Sequence, residues 1–220
     1  MKIALDGPSG AGKSTIAKAL AKRLGIIYVD TGALYRSIGL YVKRCGIDKN
    51  DRDGVISCLP KINLNMEFVN GEQIITLNGE RVGDNIRTGE ISMYASAVSA
   101  IPEVRSFLLD TQRDIASKNS VVMDGRDIGT VILPDAEVKV FMTASPEARA
   151  KRRYLELSAK GEECTLEGVL ADIIERDKND STRKTAPCVP AEDAVLFDNS
   201  EYDVEGSVDK VIEIINERVK

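Results

Sequence analysis

The fold is decided by the stretch Lys2-Ile3-Ala4-Leu5-Asp6-Gly7-Pro8-Ser9-Gly10-Ala11-Gly12-Lys13-Ser14. Its apolar first part predicts a short buried strand. The residues from about Lys13 to Leu24 predict a helix, because apolar side chains recur there every four residues. Between strand and helix, residues 7–14 match the pattern GxxxxGK[ST]. Strand, glycine-rich turn and helix in this order predict a loop that binds phosphate groups.

Such a loop binds anions through its backbone and through two side chains. Its N–H groups can surround a polyphosphate, and the N-terminus of the following helix adds partial positive charge. Lys13 can reach the terminal phosphates, and the hydroxyl of Ser14 can join a Mg²⁺ ion. The alternative is a glycine-rich turn that caps a helix and binds no ligand, and the flanking strand and helix disfavour it.

The rest of the chain predicts an α/β fold with a doubly wound, five-stranded parallel sheet. Four further β-rich runs follow the first strand, at residues 26–29, 121–124, 138–142 and 194–198. Residues 62–87 break this rhythm with alternating apolar positions and two Asn-Gly turn signals, which predicts a small antiparallel insert. Helices are predicted over residues 89–100 and 102–118. We expect a single domain over residues 1–220.

Composition excludes several classes of function. With 43% apolar and 30% charged residues the chain is globular, and its net charge of −5 argues against a surface for long nucleic acids. No apolar run has the length of a membrane span, so we expect a cytoplasmic protein. The four cysteines form no CxxC pair and the chain has no histidine. Structural zinc is therefore disfavoured, and catalysis must proceed without the commonest general base.

Many classes of protein share a phosphate loop, and other motifs separate them. A GTPase is disfavoured because the chain has no NKxD motif, and its two DxxG strings, at residues 51–54 and 203–206, lie in polar stretches. A motor or transporter ATPase normally needs a longer chain. Phosphoryl transfer to a small molecule is the economical interpretation.

Three further strings follow predicted strands or lie near the C-terminus: Asp30-Thr31-Gly32-Ala33-Leu34-Tyr35-Arg36, Gly125-Arg126-Asp127-Ile128-Gly129-Thr130 and Arg176-Asp177-Lys178-Asn179-Asp180-Ser181-Thr182-Arg183. With the phosphate loop they resemble bacterial cytidylate kinases over essentially the whole chain. The resemblance implies an enzyme that uses ATP and Mg²⁺ to convert CMP, and dCMP, to the diphosphate. It implies a monomer without nucleic-acid or membrane partners, an extra β-lobe at 62–87 on the nucleoside-monophosphate side, and a helical lid at about residues 150–184. Ser14 before Thr15 departs from family members with Gly before Thr, but a hydroxyl is present either way.

Some of these residues can be interpreted from their spacing alone. Arg36 is predicted on the first turn of a helix, where its guanidinium can hold a monophosphate, and the alternative is an ordinary surface arginine. Arg126 follows a buried strand in a glycine-flanked loop, and it either binds a ligand or pairs with Asp124 or Asp127. Asp124 either joins the metal shell or stabilises the turn.

Two helical arginine clusters are predicted in the last third of the chain. The first comprises Arg149, Arg152 and Arg153, and the second comprises Arg176, Asp180 and Arg183. Within each cluster the spacing places the residues on one helical face. One interpretation is a mobile lid that brings cations to the transferring phosphoryl group, and the other is a solvated charged face.

Carried over residue by residue, the resemblance implies four overlapping sets of site residues. The ATP site comprises Gly7, Pro8, Ser9, Gly10, Ala11, Gly12, Lys13, Ser14, Thr15 and Arg149. The catalytic cations are Lys13, Arg126, Arg153, Arg176 and Arg183. The CMP site comprises Thr31, Arg36, Ser96, Arg105, Arg126, Asp127, Arg176, Asp180 and Arg183, and the metal site comprises Ser14 and Asp124. From spacing alone, Ser96 and Arg105 are interpreted as surface polar residues.

Two rival functions remain at this point. One is a kinase for another nucleoside monophosphate, such as UMP or AMP. The other is a non-catalytic nucleotide-binding switch, which the second set of cations at Arg36, Arg126 and Arg183 disfavours because they suit a second phosphate ligand.

Overall fold

The main sheet has five strands, as the sequence predicts. The structure, a computed structural model, describes residues 1–159 and 161–219. The order across the sheet is β2 (Ile27–Asp30), β6 (Val121–Asp124), β1 (Lys2–Asp6), β7 (Val138–Thr143) and β8 (Val195–Asp198). A separate antiparallel sheet comprises β3 (Leu64–Val69), β4 (Glu72–Leu77) and β5 (Glu80–Arg81). The predicted α/β fold with a small antiparallel insert is confirmed.

The chain divides into two compact units. The first is Met1–Ile26 together with Ser120–Lys220, and the second is Ile27–Asn119. The single domain over residues 1–220 stays a prediction. Lys160, inside the predicted lid, lies outside the described residues.

The first unit is built on parallel strand pairs. Strand β1 pairs with β6 on one side and with β7 on the other, and β7 pairs with β8. The helices of this unit are α1 (Lys13–Leu24), α6 (Pro146–Ala159), α7 (Leu166–Thr182) and α8 (Val204–Arg218). Because these strands are parallel, their carboxyl ends lie at one edge of the sheet, where open α/β sheets bind ligands.

Apolar strand residues form the core of the first unit. Ile3 and Leu5 of β1 and Val122 and Met123 of β6 have no exposed surface. Burying a side chain of this size contributes about 1.5–3 kcal/mol. The residues that end these strands are therefore placed on a rigid frame.

The second unit contains the antiparallel sheet and four helices. They are α2 (Thr31–Arg44), α3 (Arg52–Cys58), α4 (Gly89–Val98) and α5 (Pro102–Lys118). Helices α2 and α4 pack closely, since a Cβ at Gly39 would lie 2.9 Å from the Cβ of Tyr94. Ile75 and Leu77 of β4 are buried in the same apolar cluster as Leu34 of α2. The insert thus shares a core with the helices of its unit.

The structure differs from the sequence prediction in three local places. Helix α2 begins at Thr31 because the side chain of Asp30 caps it, so Arg36 lies on the second turn rather than the first. Helix α3 and the irregular helical turn at Ile128–Ile132 are not predicted from the sequence.

Across the described ranges, no helix has both the length and the apolar character of a membrane span.

Candidate active site

The phosphate loop joins β1 to α1, and its shape depends on glycine. Gly7 has a φ of +144°, and a Cβ there would lie 1.9 Å from the carbonyl oxygen of Met142. Gly12, which precedes α1, has a φ of +82°. Residues other than glycine rarely adopt such backbone conformations. The glycines at these two positions are therefore required by the turn.

Three carbonyl groups of the loop accept hydrogen bonds from buried side chains. The Nζ of Lys13 donates to the oxygen of Pro8 at 2.6 Å. Arg149 donates to the oxygen of Ser9 at 3.0 Å, and Asn199 donates to the oxygen of Ala11 at 2.9 Å. These three hydrogen bonds hold the main chain of the loop in place.

Lys13 and its neighbours form the charged centre of this loop. Burial, together with the positive charge of Arg126, lowers the pKa of Lys13 to about 7. A bound polyphosphate favours the protonated form and opposes this shift. The surroundings of Lys13 therefore favour its charged form only when an anion is bound.

Ser14 and Asp124 place two oxygen ligands side by side. The hydroxyl of Ser14 donates to Oδ2 of Asp124 at 2.7 Å. A hydroxyl, a carboxylate, substrate phosphates and water are the ligands that Mg²⁺ prefers in phosphoryl-transfer sites. Among the described residues there is no group of three or more His, Cys, Asp or Glu that could hold a metal. The pair therefore fits a Mg²⁺ ion that phosphate oxygens also bind.

The loop after β6 is fixed by Asp6, the last residue of β1. Its two carboxylate oxygens accept the N–H groups of Ile128 at 2.8 Å and Gly129 at 2.7 Å. Burial raises the pKa of Asp6 to about 6, although these two N–H groups oppose the shift. Asp6 thus holds the segment that carries Arg126 and Asp127.

Three predicted arginines converge on Asp180, which is 5% exposed. The Nε of Arg126 lies 3.1 Å from its carboxylate, an Nη of Arg183 lies at 3.9 Å and the Nε of Arg176 lies at 4.0 Å. Burial disfavours the charge of Arg126, but the carboxylates of Asp180 and Asp124 raise its pKa. Asp180 thus brings three guanidinium groups together at one buried carboxylate.

The arginines of α6 have different surroundings from one another. Arg149 is buried, and it contacts Asp177 of α7 at 2.6 Å in addition to the phosphate loop. Arg152 donates to the side chain and the main chain of Asn199. Arg153 forms a partly exposed ion pair with Glu156. Arg149 therefore stabilises the loop directly and Arg152 acts on it through Asn199, whereas Arg153 pairs with a glutamate of its own helix.

In the second unit, Asp30 organises the predicted phosphate-binding arginine. Its Oδ1 accepts the N–H of Ala33 at 2.8 Å, and its Oδ2 accepts a bond from Arg36 at 2.7 Å. The Nε of Arg36 is buried and has no hydrogen-bond partner in residues 1–159 and 161–219. Thr31, at the start of α2, is also buried. This segment presents a guanidinium with an unused donor.

Arg105 is buried, so its interpretation as a surface residue is wrong. It is 9% exposed, it donates to the carbonyl oxygen of Ser99 at 3.1 Å, and its guanidinium carbon lies 5.4 Å from the ring centroid of Tyr35. The hydroxyl of Ser99 in turn donates to the carbonyl oxygen of Ser96. Arg105 and Ser96 thus belong to one hydrogen-bonded cluster at the junction of α4 and α5.

Sequence reasoning missed four residues that support the site. They are Asp6, Gln73, Asp177 and Asn199. Asp6 and Asn199 end or follow strands of the main sheet, and this position was a usable signal. The partners of Gln73 and Asp177 become visible only in the folded chain.

Comparison with known proteins identifies similar sequences over the full length. The family model described as "Cytidylate kinase" matches residues 3–217. The cytidylate kinase of Fervidobacterium nodosum is 49% identical over 219 residues, which cover 100% of this chain and 98% of that protein. The cytidylate kinase of Caldanaerobacter subterraneus subsp. tengcongensis is 50% identical over 220 residues, which cover 100% of this chain and 96% of that protein.

Solved structures extend the likeness to the fold alone. A shikimate kinase from Bacteroides thetaiotaomicron has a TM-score of 0.51 at 16% identity, with 98% of both chains covered. An uncharacterised protein from Eubacterium ventriosum has the same TM-score at 16% identity, with 99% of both chains covered. These similarities support the architecture of the phosphate-loop fold.

Proposed function

The chain belongs to the cytidylate kinase family, and from this premise we propose how its residues move a phosphoryl group from ATP to CMP. The enzyme is a phosphotransferase, and CDP and ADP are the products. We propose that dCMP is a second substrate and that the transfer is an in-line displacement. The observation that carries the assignment of roles is the convergence of Arg126, Arg176 and Arg183 on Asp180.

On the donor side, the phosphate loop binds ATP. The backbone of residues 7–12 surrounds the polyphosphate, Lys13 neutralises the terminal phosphates, and Thr15 lies on the first turn of α1. Arg149 serves ATP indirectly, because its guanidinium is engaged by the loop and by Asp177. A charge held in place before the reaction costs no reorganisation when the transition state forms.

Mg²⁺ completes the donor site in this proposal. Ser14 would hold the ion through its hydroxyl and Asp124 would hold it through its carboxylate, the two groups that lie 2.7 Å apart. When bound, the ion neutralises charge on the phosphate oxygens. Asp124 therefore keeps Ser14 oriented and adds negative charge beside the metal.

The transferring group is stabilised by cations and needs no general base. The second pKa of a phosphate monoester is about 6, so the attacking oxygen of CMP is already ionised at neutral pH. This agrees with a chain that has no histidine. Arg126, Arg153, Arg176 and Arg183 supply positive charge as charge develops in the transition state.

On the acceptor side, Arg36 binds the phosphate of CMP and the other residues recognise the nucleoside. Thr31, Ser96, Arg105 and Asp127 read the base, with Arg105 donating to cytosine N3 and O2 and Asp127 accepting from its amino group. Asp180 contributes to the CMP site by keeping its three arginines in place. Thr31 and Ser96 carry hydroxyls, which can donate or accept and so tolerate either pyrimidine.

The test is an ADP-release assay with CMP, dCMP, UMP, AMP and GMP at fixed ATP and Mg²⁺. We expect turnover with CMP and dCMP and much weaker turnover with the other three. ADP release that is independent of any acceptor would contradict transfer, and preference for UMP or AMP would contradict the base assignment. Omitting Mg²⁺ in the presence of a chelator should abolish turnover.

We also propose that the enzyme acts in the cytoplasm as a monomer without nucleic-acid or membrane partners. The support is the acidic balance of charge and the absence of long apolar runs in the sequence. Light scattering should give a mass near the 24.0 kDa of one chain. A mass of twice that value would contradict the monomer.

A further inference from the structure

A side chain of the antiparallel sheet pairs with the main chain of Asp30. The N–H of Asp30 donates to Oε1 of Gln73 at 2.7 Å, and Nε2 of Gln73 donates to the carbonyl oxygen of Asp30 at 3.1 Å. Asp30 is 7% exposed, so water cannot readily replace these bonds. Buried main-chain groups are almost always paired, and here one glutamine amide satisfies both groups of one residue.

The side chain of the same Asp30 makes the contacts that place Arg36. One carboxylate oxygen caps α2 at Ala33 and the other accepts a bond from Arg36. Two main-chain bonds and two carboxylate bonds therefore meet at a single residue. A rotation of the Asp30 main chain would move the carboxylate, and with it the guanidinium.

We infer that Gln73 is a positioning residue for the phosphate of the acceptor nucleotide and acts through Asp30 on Arg36. The inference rests on the proposed function, in which Arg36 binds the phosphate of CMP. It gives the antiparallel insert a role in substrate binding although Gln73 itself need not touch CMP. The insert fixes the end of β2 and the capped start of α2.

The chemistry at this position requires a primary amide of this length. Glutamate offers two acceptors, and one of them would face the carbonyl oxygen of Asp30. Leucine fills a similar volume but satisfies neither main-chain group. Asparagine is one methylene shorter and cannot span the same distance. Gln73→Glu should therefore keep one of the two bonds and Gln73→Leu neither.

The experiment compares Gln73→Leu and Gln73→Glu with Glu72→Gln, an exposed polar change at the start of the same strand. KM and kcat are measured for CMP and ATP, and inhibition constants are measured for cytidine, which lacks the phosphate. We expect Gln73→Leu to raise KM for CMP by at least about fivefold, because an orphaned main-chain group moves Asp30. KM for ATP and the inhibition constant of cytidine should change less than twofold, Gln73→Glu should be intermediate, and Glu72→Gln should match the wild type.

A double-mutant cycle with Arg36→Ala separates positioning from a general structural role. If Gln73 acts through Arg36, adding Gln73→Leu to Arg36→Ala should change KM for CMP by less than twofold. An additive effect, or equal weakening of cytidine and CMP, would overturn the inference. A Gln73→Leu variant with unchanged KM for CMP would also overturn it.

The wild-type reactions in the same assay test the proposed function, so a protein that fails to phosphorylate CMP at all is distinguished from a failed inference. Thermal melting identifies a variant that does not fold, and Gln73→Glu then decides the case.

Discussion

The phosphate loop of the first unit and the Asp30–Arg36 segment of the second unit obtain their shapes in different ways. The phosphate loop requires glycine because its backbone is strained and closely packed, as the 1.9 Å approach at Gly7 demonstrates. The Asp30–Arg36 segment is an ordinary strand end and helix start, and its special feature is a set of side-chain bonds around one aspartate. Backbone geometry therefore specifies the phosphate loop, whereas the Asp30–Arg36 segment depends on side chains.

Among the variants that test this comparison, Lys13→Ala is expected to have the largest effect on turnover. The variant should lose at least about a thousandfold in kcat, since it removes a charge held at the transferring phosphoryl group. CMP binding should remain within about twofold of the wild type, because in our proposal Lys13 serves ATP only. ADP release gives the first quantity and calorimetry with CMP gives the second. Loss of CMP binding in this variant would contradict the proposed separation of Lys13 from the residues that bind CMP.

A matched pair of glycine substitutions tests the difference in backbone demand. Gly7→Ala should lower the free energy of unfolding by more than about 3 kcal/mol, because its Cβ would overlap a main-chain oxygen. At Gly32 the nearest atom to an added Cβ is an Nη of Arg36 at 3.0 Å, the mobile end of a long side chain. Gly32→Ala should therefore cost less than about 1 kcal/mol but raise KM for CMP several-fold.

Denaturant unfolding measures both variants, with Gly25→Ala as the control. Gly25 has a φ of +67° but no atom within 4 Å of an added Cβ, so it reports backbone strain without a clash. We expect a cost of about 1 kcal/mol there. Equal costs at Gly7 and Gly25 would show that the close approach to Met142 does not matter.

The pH dependence of stability isolates Asp6, which holds the loop after β6. Burial raises the pKa of Asp6 from 3.8 to about 6 in the folded protein, so the folded state binds this proton more tightly than the unfolded chain does. The free energy of unfolding should fall as pH rises from about 4 to about 6, by about 3 kcal/mol from this group, and level off above. Asp6→Asn should lack this slope, although it also loses one acceptor for the N–H groups of Ile128 and Gly129. Parallel pH profiles of the two proteins would contradict the raised pKa.

The smallest effect concerns the base, and it compares a residue of each unit. Asp127 can accept a bond from the amino group of cytosine, whereas uracil presents a carbonyl oxygen at that place. Asp127→Asn should therefore reduce the ratio of kcat/KM for CMP over UMP by about tenfold. Thr31→Ala should lower kcat/KM for CMP and for UMP to a similar extent, because a hydroxyl adapts to either base. An unchanged ratio in Asp127→Asn would show that the carboxylate does not read the base.

The phosphate loop was largely predictable from the sequence because its determinants are contiguous. The strand, the glycine pattern and helix α1 at Lys13–Leu24 all follow from local periodicity and from Gly25, which ends the helix in the left-handed conformation. The end of β1 and the end of β6 were also placed, since parallel strands bring their carboxyl ends to one edge. The pairing of Ser14 with Asp124 is a consequence of that topology.

The supporting residues were not predictable because each acts at long range. Gln73 contacts a residue 43 positions away, and Asn199 contacts one 188 positions away. Neither position has a distinctive pattern around it. The burial of Arg105 was missed for a similar reason, since an arginine at the start of a helix is usually exposed and only the cluster with Ser99 and Tyr35 accounts for its burial. Arg36 was expected on the first turn of its helix, but it lies on the second turn because Asp30 caps α2 and the helix begins at Thr31.

The bond from Asn199 to the oxygen of Ala11 has a consequence for synthesis of the protein on the ribosome. Residues 27–119 are continuous in the chain, so all residues of that unit are translated before β6 and β7 are made. The phosphate loop precedes that unit in the chain, yet strands β6 and β7, which pair with β1, and the amide of Asn199, which donates to the oxygen of Ala11, are made much later. Domains generally fold as their residues emerge, at about 5–20 residues per second. The phosphate loop is therefore translated before residues 27–119 but completed after them, and a nascent chain released before Asn199 would carry the nucleotide-binding sequence without the frame that shapes it.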